Sequence, residues 1–344
     1  ARSSVKASGL SGLDNTPTFA ENGAAIVLDN NATVADPELS VYNDWGNAVL
    51  TLARNGGTSA DDVFGVTGSG GTGVNFSGSN IRINAATVGS FTNSGGQLQI
   101  TFAAGTTTAN VNQVLQALTY SNSNNNPPGN VTIGYTIDDG NTNTGTTPQG
   151  SVASGPLHLA ANGSIQVSIT ATNDAPALST LHAVGYTEDA TAVVLDATEA
   201  PTDPELSNLN NWGGATLALA RQGGANAAED RFSASGSLGP LTEGGNLTLG
   251  GTVIGTVTTN SNGALLLTFN NGATTAQVQS VASQIAYANT RQTLGAGATA
   301  AITLTWTIND GDTDPDRVAN GQGSGGALST SANQTVTLTG TNDV

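Results

Sequence analysis

Residues 45–54 read Trp-Gly-Asn-Ala-Val-Leu-Thr-Leu-Ala-Arg, and residues 212–221 repeat the pattern as Trp-Gly-Gly-Ala-Thr-Leu-Ala-Leu-Ala-Arg. Each pair of matched positions differs by 167 in residue number. Within both stretches, Leu alternates with Thr or Ala, which predicts a β-strand with one face in a core and the other in water. The chain is therefore predicted to hold one strand-rich module in two copies.

The duplication extends over most of each copy. It begins at Phe19-Ala-Glu21 and Tyr186-Thr-Glu188 and still holds at Tyr120-Ser-Asn122 and Tyr287-Ala-Asn289. A chain of 344 residues divided in this way leaves each copy long enough to bury a core of its own. Pro176 cannot continue a strand ladder and so helps to mark the boundary. The predicted divisions are a linker or N-terminal arm over 1–17, module 1 over 18–174 and module 2 over 175–344.

Composition and periodicity place both copies in the all-β class. The 45 Gly residues and the 4% of aromatic residues are typical of short strands joined by polar turns. Alternating segments such as 131–137 and 301–308 predict strands, whereas 108–118 and 276–285 have helical spacing and predict one short helix per module. Together these elements predict two tandem Greek-key β-sandwich modules, each with one short helix.

The charge and the scarce residue types exclude several classes of function. The formal net charge is -17, from 25 acidic and 8 basic residues, so neither nucleic acid nor an anionic membrane is an expected partner. No apolar run has the length of a membrane span, and we expect no membrane insertion. The chain has no Cys and two His, so neither a disulfide, a His-based catalytic triad nor a zinc site is expected.

Four kinds of acidic motif recur in the two copies. They are a Glu at the start of the first strand, an Asp-Pro-Glu, an acidic turn after a strand, and an Asn-Asp pair that closes the module. Clustered carboxylates supply the oxygen ligands that a hard cation such as calcium requires. The predicted metal ligands are Glu21, Asp36, Glu38, Asp138, Asp139, Asn173, Asp174, Glu188, Asp203, Glu205, Asp310, Asp312 and Asp343.

The order of these motifs resembles the calcium-binding junctions of cadherins. The stretch from Tyr120-Ser-Asn122 to Tyr135-Thr-Ile-Asp-Asp-Gly140 is similar to the cadherin-like, chondroitin-sulfate-proteoglycan-type repeats of large bacterial secreted surface proteins and adhesins. The resemblance implies cadherin-like or Ig-like modules and a calcium site that straddles the module boundary and converts a flexible hinge into a rod. The ligands implied at this boundary are Glu21, Asp138 or Asp139, Asn173, Asp174, Asp203 and Glu205.

The repeated motifs also have structural interpretations. Asp-Gly and Asn-Gly steps form turns without a metal, and Asp-Pro-Glu can simply begin a turn. We predict that Trp45 and Trp212 fill the core, with a carbohydrate-stacking surface as the alternative. We predict that Arg54 and Arg221 each pair with a carboxylate of their own module.

No enzyme is expected, because carboxylate pairs such as Asp61 and Asp62 lack the aromatic-lined groove that glycan cleavage uses.

The predicted function is a calcium-rigidified, extracellular structural or adhesive module pair of a bacterial surface protein. Its expected partners are neighbouring copies or modules of the same protein and a cell-surface or glycan ligand. One alternative is a subunit that joins head to tail into an extracellular filament, sheath or surface layer. A third is a glycan-binding module that exposes Trp45 or Trp212.

Overall fold

The computed structural model describes residues 8–37, 39–69, 72–140, 160–312 and 321–342. The chain divides into two compact units, unit 1 over Ala1–Ala171 and unit 2 over Thr172–Val344. This division falls between residues 171 and 172, whereas the sequence analysis placed the module boundary between 174 and 175.

Unit 1 consists mainly of strands in which buried and more exposed residues alternate. The strand Asn130–Asp138 shows the rule, because every second residue from Val131 to Ile137 is buried. The strands are β1 (Gly9–Ser11), β2 (Thr18–Ala20), β3 (Ile26–Val27), β4 (Thr33–Ala35), β5 (Val49–Arg54), β6 (Asp62–Val66), β7 (Val74–Ser77), β8 (Asn80–Ile83), β9 (Ala86–Ser94), β10 (Gln97–Phe102), β11 (Leu118–Asn122), β12 (Asn130–Asp138) and β13 (Ala160–Thr170). The helices are α1 (Leu39–Tyr42) and α2 (Thr108–Ala117).

Most strands of unit 1 form a large and a small sheet around one core, and β1 and β4 form a separate two-stranded sheet. The large sheet has the order β2-β13-β12-β5-β10-β9-β8-β7, and the small sheet has the order β3-β11-β6. Neighbouring strands are antiparallel, except that β2 runs parallel to β13. The ring of Phe19 on β2 meets the ring of Tyr120 on β11 edge-on, with 6.1 Å between ring centroids. This contact joins the two sheets across the core of a β-sandwich.

Residues 8–17, the described part of the segment predicted to be a linker or N-terminal arm, pair with the strands and turns of unit 1. The strand β1 pairs with β4, with Gly9 opposite Ala35. The backbone N–H groups of Asp14 and Asn15 both donate to Oδ2 of Asp29, each at 3.2 Å. The sequence analysis missed this segment because its partners lie about twenty residues further along the chain.

Unit 2 repeats this architecture. Its ring contact between the sheets joins Tyr186 and Tyr287, with 5.9 Å between centroids. Its sheets have the orders β14-β23-β22-β16-β20-β19-β18 and β15-β21-β17. The elements are β14 (Val184–Thr187), β15 (Val193–Val194), α3 (Pro204–Leu209), β16 (Thr216–Arg221), β17 (Asp230–Ala234), β18 (Asn246–Leu249), β19 (Thr252–Ser261), β20 (Ala264–Phe269), α4 (Thr275–Ala282), β21 (Ile285–Asn289), β22 (Thr299–Asn309) and β23 (Ser329–Thr339). The all-β class with two sandwich modules is confirmed.

The predicted helices correspond to α2 and α4, and each is closed at its start by a capping box from Thr107 or Thr274. Both end earlier than predicted, because Leu118 and Ile285 already begin the next strand of the small sheet. The structure adds a second, shorter helix to each unit: α3 begins at Pro204, directly after Asp203, and α1 begins at Leu39, after the Asp-Pro-Glu motif of unit 1. No helix among the described residues combines the length and the hydropathy of a membrane span.

Candidate metal centre

Asp203 caps the amino terminus of α3, and the Asp-Pro-Glu motif of unit 2 is therefore a helix start. Its Oδ1 accepts hydrogen bonds from the backbone N–H groups of Glu205 and Leu206, at 3.0 and 2.7 Å, and Pro204 occupies the first helical turn. Its other oxygen, Oδ2, is buried and has no hydrogen-bond partner. One oxygen of Asp203 therefore caps the helix, and the other is available to a ligand.

Glu205 is the most deeply buried carboxylate of this motif, with 1% of its surface exposed. Neither Oε1 nor Oε2 has a hydrogen-bond partner of standard geometry, although the backbone N–H groups of Glu205 and Asp174 lie close enough to lower its pKa, and its side chain lies close enough to that of Asp203 to lower the pKa of Asp203. One carboxylate oxygen of Asp174 lies within 4.8 Å of one of Glu205. The ion pairs of the described residues involve neither Glu205 nor Asp203.

Asp310 connects the end of β22 to the first residues of unit 2. Its Oδ2 accepts a hydrogen bond from Nδ2 of Asn173 at 2.7 Å, and its Oδ1 accepts one from the backbone N–H of Asp312 at 3.1 Å. The other atom of the Asn173 carboxamide, Oδ1, is buried and has no hydrogen-bond partner. We call Asn173, Asp174, Asp203, Glu205, Asp310 and Asp312 the unit 2 cluster.

The electrostatics of the unit 2 cluster are unfavourable for a set of bare carboxylates. Burial raises the pKa of Asp203, and the negative charge of Asp310 raises it further. Burial also raises the pKa of Glu205, with the charges of Asp203 and Asp174 acting in the same direction. Burial raises the pKa of Asp174 as well. Asp174, Asp203 and Glu205 therefore hold their protons to a higher pH than free carboxyl groups do, and a bound cation would favour their ionised forms.

Gln322 adds an oxygen that the sequence analysis did not select. It is 2% exposed, its Nε2 donates to the backbone oxygen of Asp310 at 3.4 Å, and its buried Oε1 has no partner. A signal was present, because Gln322-Gly-Ser324 repeats the tripeptide Gln149-Gly-Ser151 of the first copy. Three residues in a Gly- and Ser-rich loop are a weak signal without the structure.

The matching region of unit 1 is built differently. Asp36 caps α1, with Leu39 donating to Oδ1 at 2.7 Å, but its Oδ2 accepts a hydrogen bond from the Ser8 hydroxyl at 3.0 Å. Glu38 lies outside the described residues. After β12, Asp138 accepts a hydrogen bond from the backbone N–H of Gly140 at 2.8 Å, and Asp139 is 2% exposed.

The remaining predicted ligands lie after the first strand of the large sheet in each unit. The backbone N–H of Glu21 donates to Thr170 at 3.0 Å, and its side chain is buried. Glu188 is 5% exposed, its Oε2 accepts a hydrogen bond from the backbone N–H of Thr341 at 3.0 Å, and its Oε1 is buried without a partner. Asp343 lies outside the described residues. The contribution of Glu21 to a site at the boundary stays a prediction.

The structure assigns several repeated residues to the cores. Trp45 and Trp212 are fully buried, which confirms that they fill the cores, so neither can form the exposed carbohydrate-stacking surface of the glycan-binding alternative. Arg54 pairs with Asp62, and Arg221 with Asp230, which confirms the predicted pairing within each module. The carboxylates of Asp62 and Asp230 are thus occupied by a guanidinium group.

Comparisons with known proteins were made at the level of sequence and of structure. No model of a known protein family and no curated protein matches the sequence. Among solved structures, titin domains Z1Z2 in complex with telethonin share 9% identity, with 98% of this chain and 99% of that chain covered and a TM-score of 0.21. Human protocadherin-24 EC1-2 shares 9% identity over 97% and 99%, with a TM-score of 0.28. Collagen adhesin from S. aureus shares 11% over 97% and 92%, with a TM-score of 0.19.

The fold assignment above rests on the strand pairing of this chain and not on these likenesses. The predicted cadherin-like, proteoglycan-type family stays a prediction.

Proposed function

We propose that this chain is a non-enzymatic, extracellular structural or adhesive module pair in which the unit 2 cluster binds calcium. The observation that carries the proposal is Glu205, whose two buried carboxylate oxygens have no hydrogen-bond partner of standard geometry. A buried carboxylate without a counter-charge costs several kcal/mol, on the order of the whole stability of a small domain. A bound cation removes this cost.

The donor set favours calcium over other metals. All the candidate ligands are carboxylate or amide oxygens, whereas zinc prefers His and Cys, and this chain has no Cys. Calcium takes roughly six to eight oxygens at about 2.3 to 2.6 Å, and extracellular modules bind it with dissociation constants of about 0.1 to 1 mM. Calcium is abundant enough outside the cell to fill such a site.

In this role Asp203 and Glu205 would hold the ion from the first turn of α3, and Asp174 would hold it from the first residues of unit 2. The oxygen of Asn173 adds a neutral ligand while its amide nitrogen keeps Asp310 in place. Calcium would thereby tie a helix terminus to the segment that begins unit 2. The Glu21→Gln variant tests whether unit 1 adds a ligand.

The experiment is calcium titration of the chelator-treated full chain by calorimetry, with thermal melting in parallel. Glu205→Gln removes the charge without changing the shape of the side chain. We expect it to abolish most of the calcium-dependent rise in melting temperature while leaving the melting temperature in chelator equal or higher, because the folded chain no longer has to bury an ionisable group.

Glu199→Gln is the matched control. Glu199 is also 1% exposed and lies in unit 2, but its carboxylate accepts hydrogen bonds from the backbone N–H and the hydroxyl of Ser179, at 3.1 and 2.7 Å. Its replacement should lower the melting temperature equally with and without calcium. A wild-type chain that neither binds calcium nor melts differently in chelator would refute the proposal.

A second candidate is a subunit that joins head to tail with other copies of this chain. The buried Oε1 of Glu188, which has no partner, favours this candidate, since Glu188 is the counterpart of Glu21 in the second copy. Acidic residues of another copy could share an ion with it. Light scattering separates the candidates: a constant monomer mass in calcium supports the module pair, and growth of the mass in calcium that Glu188→Gln abolishes supports the subunit.

A further inference from the structure

We propose that Gln322 is a ligand of the unit 2 cation and that its neutral oxygen gives the site a preference for calcium over magnesium. This inference rests on the proposed function, because it assigns a further ligand to the same site. It concerns a residue outside the acidic motifs.

The segment 321–328, which we call the Gln322 loop, is folded around two members of the unit 2 cluster. The backbone N–H of Asn173 donates to Ser324 at 2.9 Å, and the Asn173 side chain donates to the backbone oxygen of Gly326 at 3.1 Å. At the end of the loop, the backbone N–H of Leu328 donates to both carboxylate oxygens of Asp310, at 3.1 and 3.0 Å. The loop is therefore held at the cluster from several points.

The Gln322 side chain is buried, and its carboxamide reaches the backbone of Asp310. Gly321 and Gly323, on either side of Gln322, have φ angles of 74° and 80°, which residues other than glycine rarely adopt. The Nε2 group is engaged by the backbone oxygen of Asp310, so the opposite atom of the carboxamide, Oε1, is the one left without a partner. A buried amide oxygen that lacks a donor costs about 1 to 3 kcal/mol.

A neutral oxygen suits calcium in particular. It raises the coordination number without adding negative charge to a cluster that already repels itself. Magnesium demands about six ligands in near-octahedral geometry, and it usually keeps several waters rather than accepting more protein oxygens. Removal of the Gln322 oxygen should therefore weaken calcium binding and leave magnesium binding nearly unchanged.

The test is calorimetric titration of the full chain with calcium and, separately, with magnesium, for the wild type, Gln322→Leu and Gln322→Glu. We expect Gln322→Leu to weaken calcium binding on the order of tenfold, with magnesium binding changed less than about twofold. Gln322→Glu keeps an oxygen at the position and should bind calcium at least as well as the wild type does.

Gln334→Leu is the matched control, because Gln334 is a buried glutamine of unit 2 whose carboxamide bonds Trp306 and the backbone of Leu195. It should lower the melting temperature without changing either affinity. If wild type binds calcium but Gln322→Leu leaves the calcium affinity unchanged, or weakens both metals equally, the inference is overturned and the proposed function stands. If wild type binds no calcium, both fail.

Discussion

Arg54 grips Asp62 with two hydrogen bonds, from Nε at 2.8 Å and from Nη2 at 2.6 Å. Asp62 is fully buried at its side chain, and its Oδ1 also accepts hydrogen bonds from the hydroxyl of Tyr120 and the amide of Asn122. The guanidinium group neutralises the buried carboxylate and donates a hydrogen bond to each of its two oxygens. The same four-residue network recurs in unit 2 around Asp230, so it is a structural feature of the module.

Removal of the Asp62 charge should destabilise unit 1 strongly. Asp62→Asn leaves the guanidinium group without its counter-charge and replaces one of the two acceptor oxygens by an NH2 donor, and we expect a loss of about 3 kcal/mol in the free energy of unfolding. Urea unfolding measures the change, followed by tryptophan fluorescence, to which Trp45 of unit 1 contributes together with Trp212 and Trp306 of unit 2. The control is the neighbouring variant Asp61→Asn, because Asp61 forms no ion pair among the described residues. It should lower the free energy of unfolding by less than about 1 kcal/mol. Equal losses for the two variants would contradict the assigned role.

Two tyrosines of unit 1 should respond in opposite ways to removal of their hydroxyl groups. The Tyr120 hydroxyl donates to Asp62 at 2.7 Å, so Tyr120→Phe should lower the free energy of unfolding by about 1.5 kcal/mol. The Tyr135 hydroxyl is buried and has no partner, so Tyr135→Phe should be neutral or stabilising by up to about 1 kcal/mol. Urea unfolding compares them directly, and a loss at Tyr135 as large as that at Tyr120 would show a partner for its hydroxyl.

The stability of unit 2 in chelator should fall as the pH rises. Burial raises the pKa of Glu205 to about 8 and that of Asp203 to about 6, so the folded state binds protons that the unfolded state releases near pH 4. The stabilisation is complete below the unfolded pKa and is lost as the pH rises through the folded values. Melting temperatures between about pH 5 and pH 9 should decrease in chelator.

Calcium and Glu205→Gln provide the checks on this pH dependence. Calcium neutralises the carboxylates, so the decrease should disappear or reverse in its presence. Glu205→Gln should flatten the chelator profile above about pH 6, because the group with the highest pKa is gone. A wild-type melting temperature in chelator that rises over the same range would show that these carboxyl groups are ionised in the folded state.

Gly311 lies between two members of the unit 2 cluster and has no room for a side chain. Its φ is 73°, and a β-carbon would overlap the backbone oxygen of Gly214. We expect Gly311→Ala to destabilise unit 2 and to reduce its calcium-dependent stabilisation, since Asp310 and Asp312 would both move. Gly297→Ala is the control, because φ is 74° there but no atom lies within 4 Å of the added carbon.

Comparison of these two glycines separates backbone strain from overlap. Gly297→Ala should cost about 1 kcal/mol from its left-handed backbone alone, and Gly311→Ala at least about 2 kcal/mol more. Urea unfolding followed by Trp fluorescence measures both. Similar losses would show that the strand end at Gly311 relaxes to admit a methyl group.

Local patterns predicted the parts of the fold that depend on neighbours in sequence. Alternation in β5 and β12 is visible without a partner strand, and the helical spacing of Val111, Val114 and Leu118 located α2 to within one residue at its end. The exact end of α2 was harder to predict, because Leu118 joins a strand whose partner, Val66, is far away in sequence. The helix α1 was not predicted. The short α1 has too few residues to show a period.

The sequence alone determined that the chain holds two strand-rich modules and that a tryptophan and the acidic motifs recur in register, because spacing and composition carry this information along the chain. Only the tertiary structure decided what each oxygen does. In the folded chain, one oxygen of Asp203 caps a helix and Asp62 forms an ion pair with Arg54. The side chain of Gln322 is hydrogen-bonded to the backbone of Asp310. Hydrogen-bond partners across a sandwich come from residues far apart in sequence, so the buried oxygens on which the proposed cation site rests can be recognised only when the chain is folded.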